Sequence, residues 1–172
     1  MTAESTRRLV VFRHAKSARP TDIDDHDRPL APRGERDASA AGRWLDAAGW
    51  TPDTVLCSTA VRARHTWRGA ADVLSATPPV TYERRLYLAD VPTLVDLVRA
   101  TPDDVGTLVL VGHNPGLEDL VVTLAGGAVG DAGERVEAKF PTSAIAVLTV
   151  PGAWSALGPR VATLVEVAVP RG

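Results

Sequence analysis

The sequence predicts an α/β protein built on an open sheet, mostly parallel with an antiparallel edge strand, and covered by helices on both faces as a three-layer αβα arrangement. Three observations predict it. Short apolar runs alternate with stretches of helical periodicity along the chain. Two of these runs, Leu9–Arg13 and Thr107–Val111, are almost unbroken in their apolar character, as strands buried on both faces are. The last two runs, Ala144–Val150 and Val161–Val169, have no helical pattern between them and make a hairpin that can add antiparallel pairing.

Leu9–Arg13 is the first strand. Arg19–Arg33 is polar and contains prolines, so it reads as an exposed loop. In Gly34–Ala48, Ala38, Ala41, Trp44, Leu45 and Ala48 recur at helical spacing, and Gly49 stops the helix. Thr54–Cys57 is a short strand, and Ala60–Ser75 a helix with Val61, Trp67, Ala70, Ala71 and Leu74 inward and Ser58 or Thr59 as its cap. Val80–Tyr82 is a brief strand, Val91–Ala100 a helix and Thr107–Val111 a strand. Gly116–Ala125 is a helix, with Asn114 as its cap and Pro115 in its first turn. Gly126–Gly133 is glycine-rich and reads as a mobile loop; the last two strands follow, joined by PGAWSALGPR.

The chain has 172 residues, 45% hydrophobic and 23% charged, which predicts one domain over 1–172 with one substantial core. Nineteen Lys+Arg stand against 21 Asp+Glu, a net charge of −2. That gives no general attraction to nucleic acid or an acidic membrane, so any anion site must be local. A single cysteine, Cys57, excludes an internal disulfide and points to a reducing, cytoplasmic setting. The polar start, MTAESTRR, lacks a signal-peptide pattern, and no run approaches the ~18 apolar residues of a membrane span.

In open α/β sheets ligands collect outside the carboxyl ends of the strands. Arg13 and His14 follow the first strand, Ser58 the second and His113 a later one, so all should open onto one rim. A lone histidine at a strand end is usually structural. Arg13 changes that reading, because arginine is rarely buried without an anion and a guanidinium disfavours protonation of an adjacent imidazole. A neutral imidazole is a competent nucleophile toward phosphorus. His113 stands before a helix N-terminus, where free N–H groups attract anions. Arg62 falls near the first turn of its helix, facing the same rim, whereas Arg64 and Arg68 read as a solvated face.

Two arginines to neutralise a phosphoryl group, one histidine to attack it and a second to stabilise its oxygens are what phosphoryl transfer requires, with no cofactor or metal. The metal and nucleotide motifs HExxH and the Walker loop are not in the sequence. A cysteine phosphatase needs five residues between cysteine and arginine; Cys57 and Arg62 enclose four.

These residues resemble the histidine phosphatase superfamily, which includes the phosphoglycerate mutases. Arg13-His14-Ala15 matches its Arg-His-Gly triplet. Ser58, Arg62, Ala63 and Thr66 match Ser-x-x-x-Arg-Ala-x-x-Thr, and Gly112-His113-Asn114 the third motif. Arg13–Ser17 reads RHAKS, and with DRPLAPRGERDA it is most similar to the SixA-type phosphohistidine phosphatases. The resemblance implies a phosphoglycerate mutase-like fold. It also implies His14 as the phosphorylated residue, Arg13 and Arg62 as phosphate ligands, His113 as oxyanion stabiliser, and Lys16 and Ser17 in the substrate pocket, which would take phosphate or sulfate.

One departure sharpens the expectation. Mutase-like members carry a general-acid Glu where this chain has Leu88, unless Asp90 or Glu83 replaces it. An alkoxide leaving group depends on such an acid, an effect of about 10²–10⁴-fold. Imidazole, with an unperturbed pKa of ~6.5, leaves more easily. A short chain also leaves little room for a lid, and an open site suits a phosphorylated side chain of another protein. The expected activity is therefore phosphohistidine hydrolysis on a protein. The alternatives are a phosphomonoesterase for small phosphorylated metabolites or phosphoserine/threonine, and a non-enzymatic phosphate-binding module. Neither nucleic acid nor membrane is an expected partner, and Asp25 and Arg28 are left undecided as substrate contacts.

Overall fold

The computed structural model describes residues 6–172. The polar start at residues 1–5, read above for targeting, lies outside them. The strands are β1 (Arg7–Arg13), β2 (Thr54–Ser58), β3 (Val80–Glu83), β4 (Thr107–Gly112), β5 (Ala125–Ala128), β6 (Ile145–Val150) and β7 (Ala162–Ala168). The helices are α1 (Pro32–Ala48), α2 (Val61–Ala71), α3 (Val91–Arg99), α4 (Gly116–Leu124) and α5 (Ala132–Ala138). All seven strands form one sheet in the order β3-β2-β4-β1-β6-β7-β5. Pairing is parallel at β2–β3, β2–β4, β1–β4 and β5–β7, and antiparallel where β6 meets β1 and β7. Among the described residues no helix is long and apolar enough to cross a membrane.

The uninterrupted apolar runs are explained by burial on both faces. Leu9 and Val11 of β1 join Leu108 and Leu110 of β4 in a core under α3, α4 and α5. Val10, Phe12, Val109 and Val111 alternate to the other face, where they pack with Leu45 of α1 and Trp67 of α2. Register then positions the site. Arg13 is paired with Gly112 and Cys57 with Val111, so the neighbours β2, β4 and β1 end together. The residues that follow them emerge side by side.

Several local expectations are corrected. α1 starts at Pro32, and its inward stripe ends at Leu45, leaving Ala48 exposed. α2 ends at Ala71, four residues before the expected Ser75. The loop before α1 holds a 3₁₀ turn at Asp25–Asp27 and a buried Leu30, bridged to Ser17. The two ends of the glycine-rich segment are regular structure, joined by a turn at 129–131. Ala125–Ala128 is edge strand β5, which pairs with β7 through an irregularity between Ala125 and Gly127, and α5 begins at Ala132 with Val136 buried.

Candidate active site

A cavity of about 220 Å³ opens at the shared carboxyl rim of β1, β2 and β4, lined by all six predicted residues: Arg13, His14, Lys16, Ser17, Arg62 and His113. Arg19, Arg28, Leu88, Asn114 and Thr142 complete its wall.

His14 leaves β1 almost fully buried, 7% exposed. Its Nδ1 lies 2.8 Å from the carbonyl oxygen of Ala15, which can only accept, so Nδ1 carries the hydrogen and Nε2 the lone pair. Burial lowers its pKa to about 4, and Arg62, Arg13 and Arg28 add repulsion. The arginines that the sequence suggested as the cause are thus secondary to desolvation. The turn is held by Thr66, whose Oγ1 accepts from the Ala15 N–H at 2.9 Å and donates to the Arg62 carbonyl at 2.7 Å. The Ser-x-x-x-Arg-Ala-x-x-Thr motif therefore ties α2 to the RHAKS turn.

His113 follows β4, and its ring centre lies 5.2 Å from that of His14. Its Nε2 shares a 2.8 Å hydrogen bond with Ser58 Oγ, and its buried Nδ1 has no partner. Burial first, then His14, Arg62 and Arg13, hold its pKa near 3, against an opposing pull from Asp25. Ser58 is thus a histidine partner. It also accepts from the Ala60 N–H at 3.2 Å, but Ala60 occupies the cap position of α2, without a side-chain cap. Likewise Pro115, and not Asn114, caps α4, although Asn114 Oδ1 still accepts from the Glu118 N–H at 3.3 Å.

Arg13 donates through Nη1 to the Phe140 carbonyl at 3.1 Å, and burial lowers its pKa while leaving it charged. Arg62, 4% exposed, is gripped by Asp25: its Nη1 donates to the backbone carbonyl at 2.6 Å and its Nη2 to Oδ2 at 3.0 Å. The Asp25 carboxylate also accepts from Arg28 Nη1 at 2.8 Å and from the Tyr87 hydroxyl. Tyr87 first, then Arg28 and Arg62, hold its carboxyl well below the usual range. Tyr87 in turn stands edge-on to His113, ring centres 5.4 Å apart. Arg28 Nη2 donates to Ser17 Oγ, while Lys16 is exposed.

Sequence reasoning missed Arg19, Tyr87, Asn114 and Thr142 as neighbours of the site, and left Asp25 and Arg28 open. Both candidate replacement acids are committed elsewhere. Glu83 accepts from Arg85 Nε at 3.1 Å, and Asp90 caps α3 through the Thr93 N–H at 3.0 Å. Leu88 lines the cavity, 58% exposed with φ of 52°. Cys57 is buried in the sheet, its thiol pushed up by desolvation. Among the described residues no group of three or more His, Cys, Asp or Glu side chains is arranged to hold a metal ion.

Neutral imidazoles among guanidinium groups, at the carboxyl rim of a mostly parallel sheet, fit one class of α/β protein: a hydrolase of phosphoryl groups. The chain belongs to the histidine phosphatase superfamily, whose branch 1 matches residues 9–89. It is 48% identical over 162 residues to an uncharacterized protein of Mycobacterium tuberculosis, covering 93% of this chain and 100% of the relative. A structure from Nakamurella multipartitia, provisionally assigned as the phosphohistidine phosphatase SixA, is 34% identical with a TM-score of 0.85 and covers 98% of this chain and 99% of its own. The protein histidine phosphatase SixA complexed with tungstate shares the fold, with a TM-score of 0.77 at 24% identity over 95% of this chain and 97% of its own. The chain is a SixA-like phosphatase.

Proposed function

We propose that this phosphatase removes the phosphoryl group from phosphohistidine on a protein, through a phosphohistidine intermediate on His14. The His14 Nε2 lone pair attacks phosphorus, and the substrate's P–N bond breaks. The departing imidazole keeps the electron pair and is protonated from solvent. Water then attacks the phosphorus on His14, releasing inorganic phosphate and restoring the neutral ring. Arg13 and Arg62 neutralise the phosphoryl oxygens. His113, its Nε2 engaged by Ser58, offers Nδ1 to an equatorial oxygen. Lys16 and Ser17 contact the substrate from the wall.

The observation that carries the substrate assignment is a cavity wall that, among the described residues, has no carboxyl group and includes Leu88. Phosphoester cleavage without a positioned acid forfeits about 10²–10⁴-fold, whereas an imidazole of pKa ~6.5 departs without that help. The buried thiol of Cys57 fits a reducing compartment, and we assign residues 1–172 as one cytoplasmic catalytic domain.

Two measurements test the reading. A labelled phosphohistidine donor, quenched during turnover, should leave its label on His14; label on any other residue refutes the mechanism. His14→Ala should abolish turnover with an unchanged circular dichroism spectrum. In parallel, a phosphohistidine peptide should be hydrolysed about 10²-fold faster than a sugar phosphate. Equal or reversed rates overturn the substrate assignment.

A further inference from the structure

The chain carries a net charge of −2, yet among the described residues five cations and no acid line the cavity. Three of the five are committed. Arg13 holds the Phe140 carbonyl, and Arg28 and Arg62 share Asp25. These three arginines balance Asp25 together with one dianionic phosphoryl group. The charges of Lys16 and Arg19 are left over. Both side chains are exposed at the mouth, and among the described residues neither makes an ion pair or a side-chain hydrogen bond. A cation held in the open contributes little to the fold; what distinguishes these two from other solvated cations is that they line the cavity that takes the phosphoryl group.

Size says where the substrate lies. At about 220 Å³ the cavity falls below the ~300–1,000 Å³ of pockets that enclose a small molecule. It admits a phosphorylated imidazole and leaves the rest of the substrate across the rim. Resting on the phosphohistidine reading above, we infer that Lys16 and Arg19, beside the exposed Leu88, form a docking rim for acidic residues flanking the phosphohistidine of a protein partner. A second phosphate on a metabolite calls for converging, preorganised donors. Two separate, freely solvated cations suit carboxylates spread over a protein surface.

The test compares three phosphohistidine donors: a peptide with flanking Asp and Glu, the same peptide with flanking Asn and Gln, and free phosphohistidine. The native enzyme should show a higher kcat/KM for the acidic peptide, by about two- to fivefold per ion pair made at the rim. The preference should shrink toward unity in 0.5 M salt. Arg19→Ala should bring the ratio of acidic- to neutral-peptide kcat/KM toward unity, a ratio that a general loss of turnover leaves unchanged. Equal rates on the two peptides, or a preference that survives Arg19→Ala, overturn the rim. If all three donors resist hydrolysis while p-nitrophenyl phosphate is cleaved, the phosphohistidine reading falls and the rim with it. A small bisphosphate preferred over its monophosphate, with no peptide discrimination, assigns the spare cations to a second phosphate instead.

Discussion

His14 and His113 bring their state of protonation with them from the fold. Their pKa values, about 4 and about 3, lie below the ordinary 6.5, mainly because burial penalises the charged ring. An unfolded chain takes up protons at these rings as pH falls below 6.5, and the folded chain does so only near 4 and below. Their contribution is therefore fully present above pH 6.5 and is lost as the pH falls from there toward 4. The rings interact, so the steps belong to the pair. Urea unfolding at pH 7 and pH 5 should differ by about 2 kcal/mol per histidine from this source. His14→Gln should remove its share; a difference that stays the same would show that His14 is not held neutral by the fold. Asp25 poses a different residue-scale question, because it grips Arg62 and Arg28 without lining the cavity itself. Asp25→Ala should loosen both guanidinium groups and weaken vanadate inhibition by about three- to tenfold, with Asp25→Glu recovering part of it. Inhibition unchanged by Asp25→Ala would leave that carboxylate a surface charge.

Helix α1 meets the RHAKS turn at Gly34. A Cβ added there would lie 2.1 Å from the Lys16 carbonyl oxygen, which is backbone and cannot step aside. Gly34→Ala must therefore move the RHAKS turn or the helix, costing about 1–3 kcal/mol and lowering kcat. Gly49, at the other end of the same helix, closes it with φ of 75° and open space around it. Gly49→Ala should cost about 1 kcal/mol of stability and leave kcat alone. Unfolding curves and turnover of both variants check the pair; equal kcat values would separate α1 from the site. Elements were legible where the local pattern is strong, as in the unbroken apolar runs of β1 and β4 and the helical stripe of α1. β5 was not, because Ala125–Ala128 reads AGGA, whose turn-forming glycines carry no strand signal. Its strand character comes from pairing with β7, a partner more than thirty residues on. The site divides in the same way. His14, Arg62 and His113 stand at element ends that the sequence marks. The Asp25–Arg62 and Asp25–Tyr87 contacts span 37 and 62 residues and have no short-range signature.

At the scale of the molecule, the site is a junction. β1 delivers Arg13 and His14, β4 delivers His113, α2 delivers Arg62, and parallel pairing of β2–β4–β1 is what brings them to one rim. An oxyanion bound there would cross-link segments separated by about a hundred residues, and none of those contacts survives unfolding. Tungstate, which stands in for the phosphoryl group, should therefore stabilise the whole fold in proportion to its binding. At a hundredfold excess over its Kd the gain is about 2.7 kcal/mol, or roughly 5–10 °C in Tm for a chain of this size. Arg62→Ala removes one arm of the junction without touching the sheet, so its Tm should respond far less to the same tungstate concentration. A variant that responds as the native protein does would mean that the anion binds somewhere other than the rim. The three-strand junction would then not be the phosphate site.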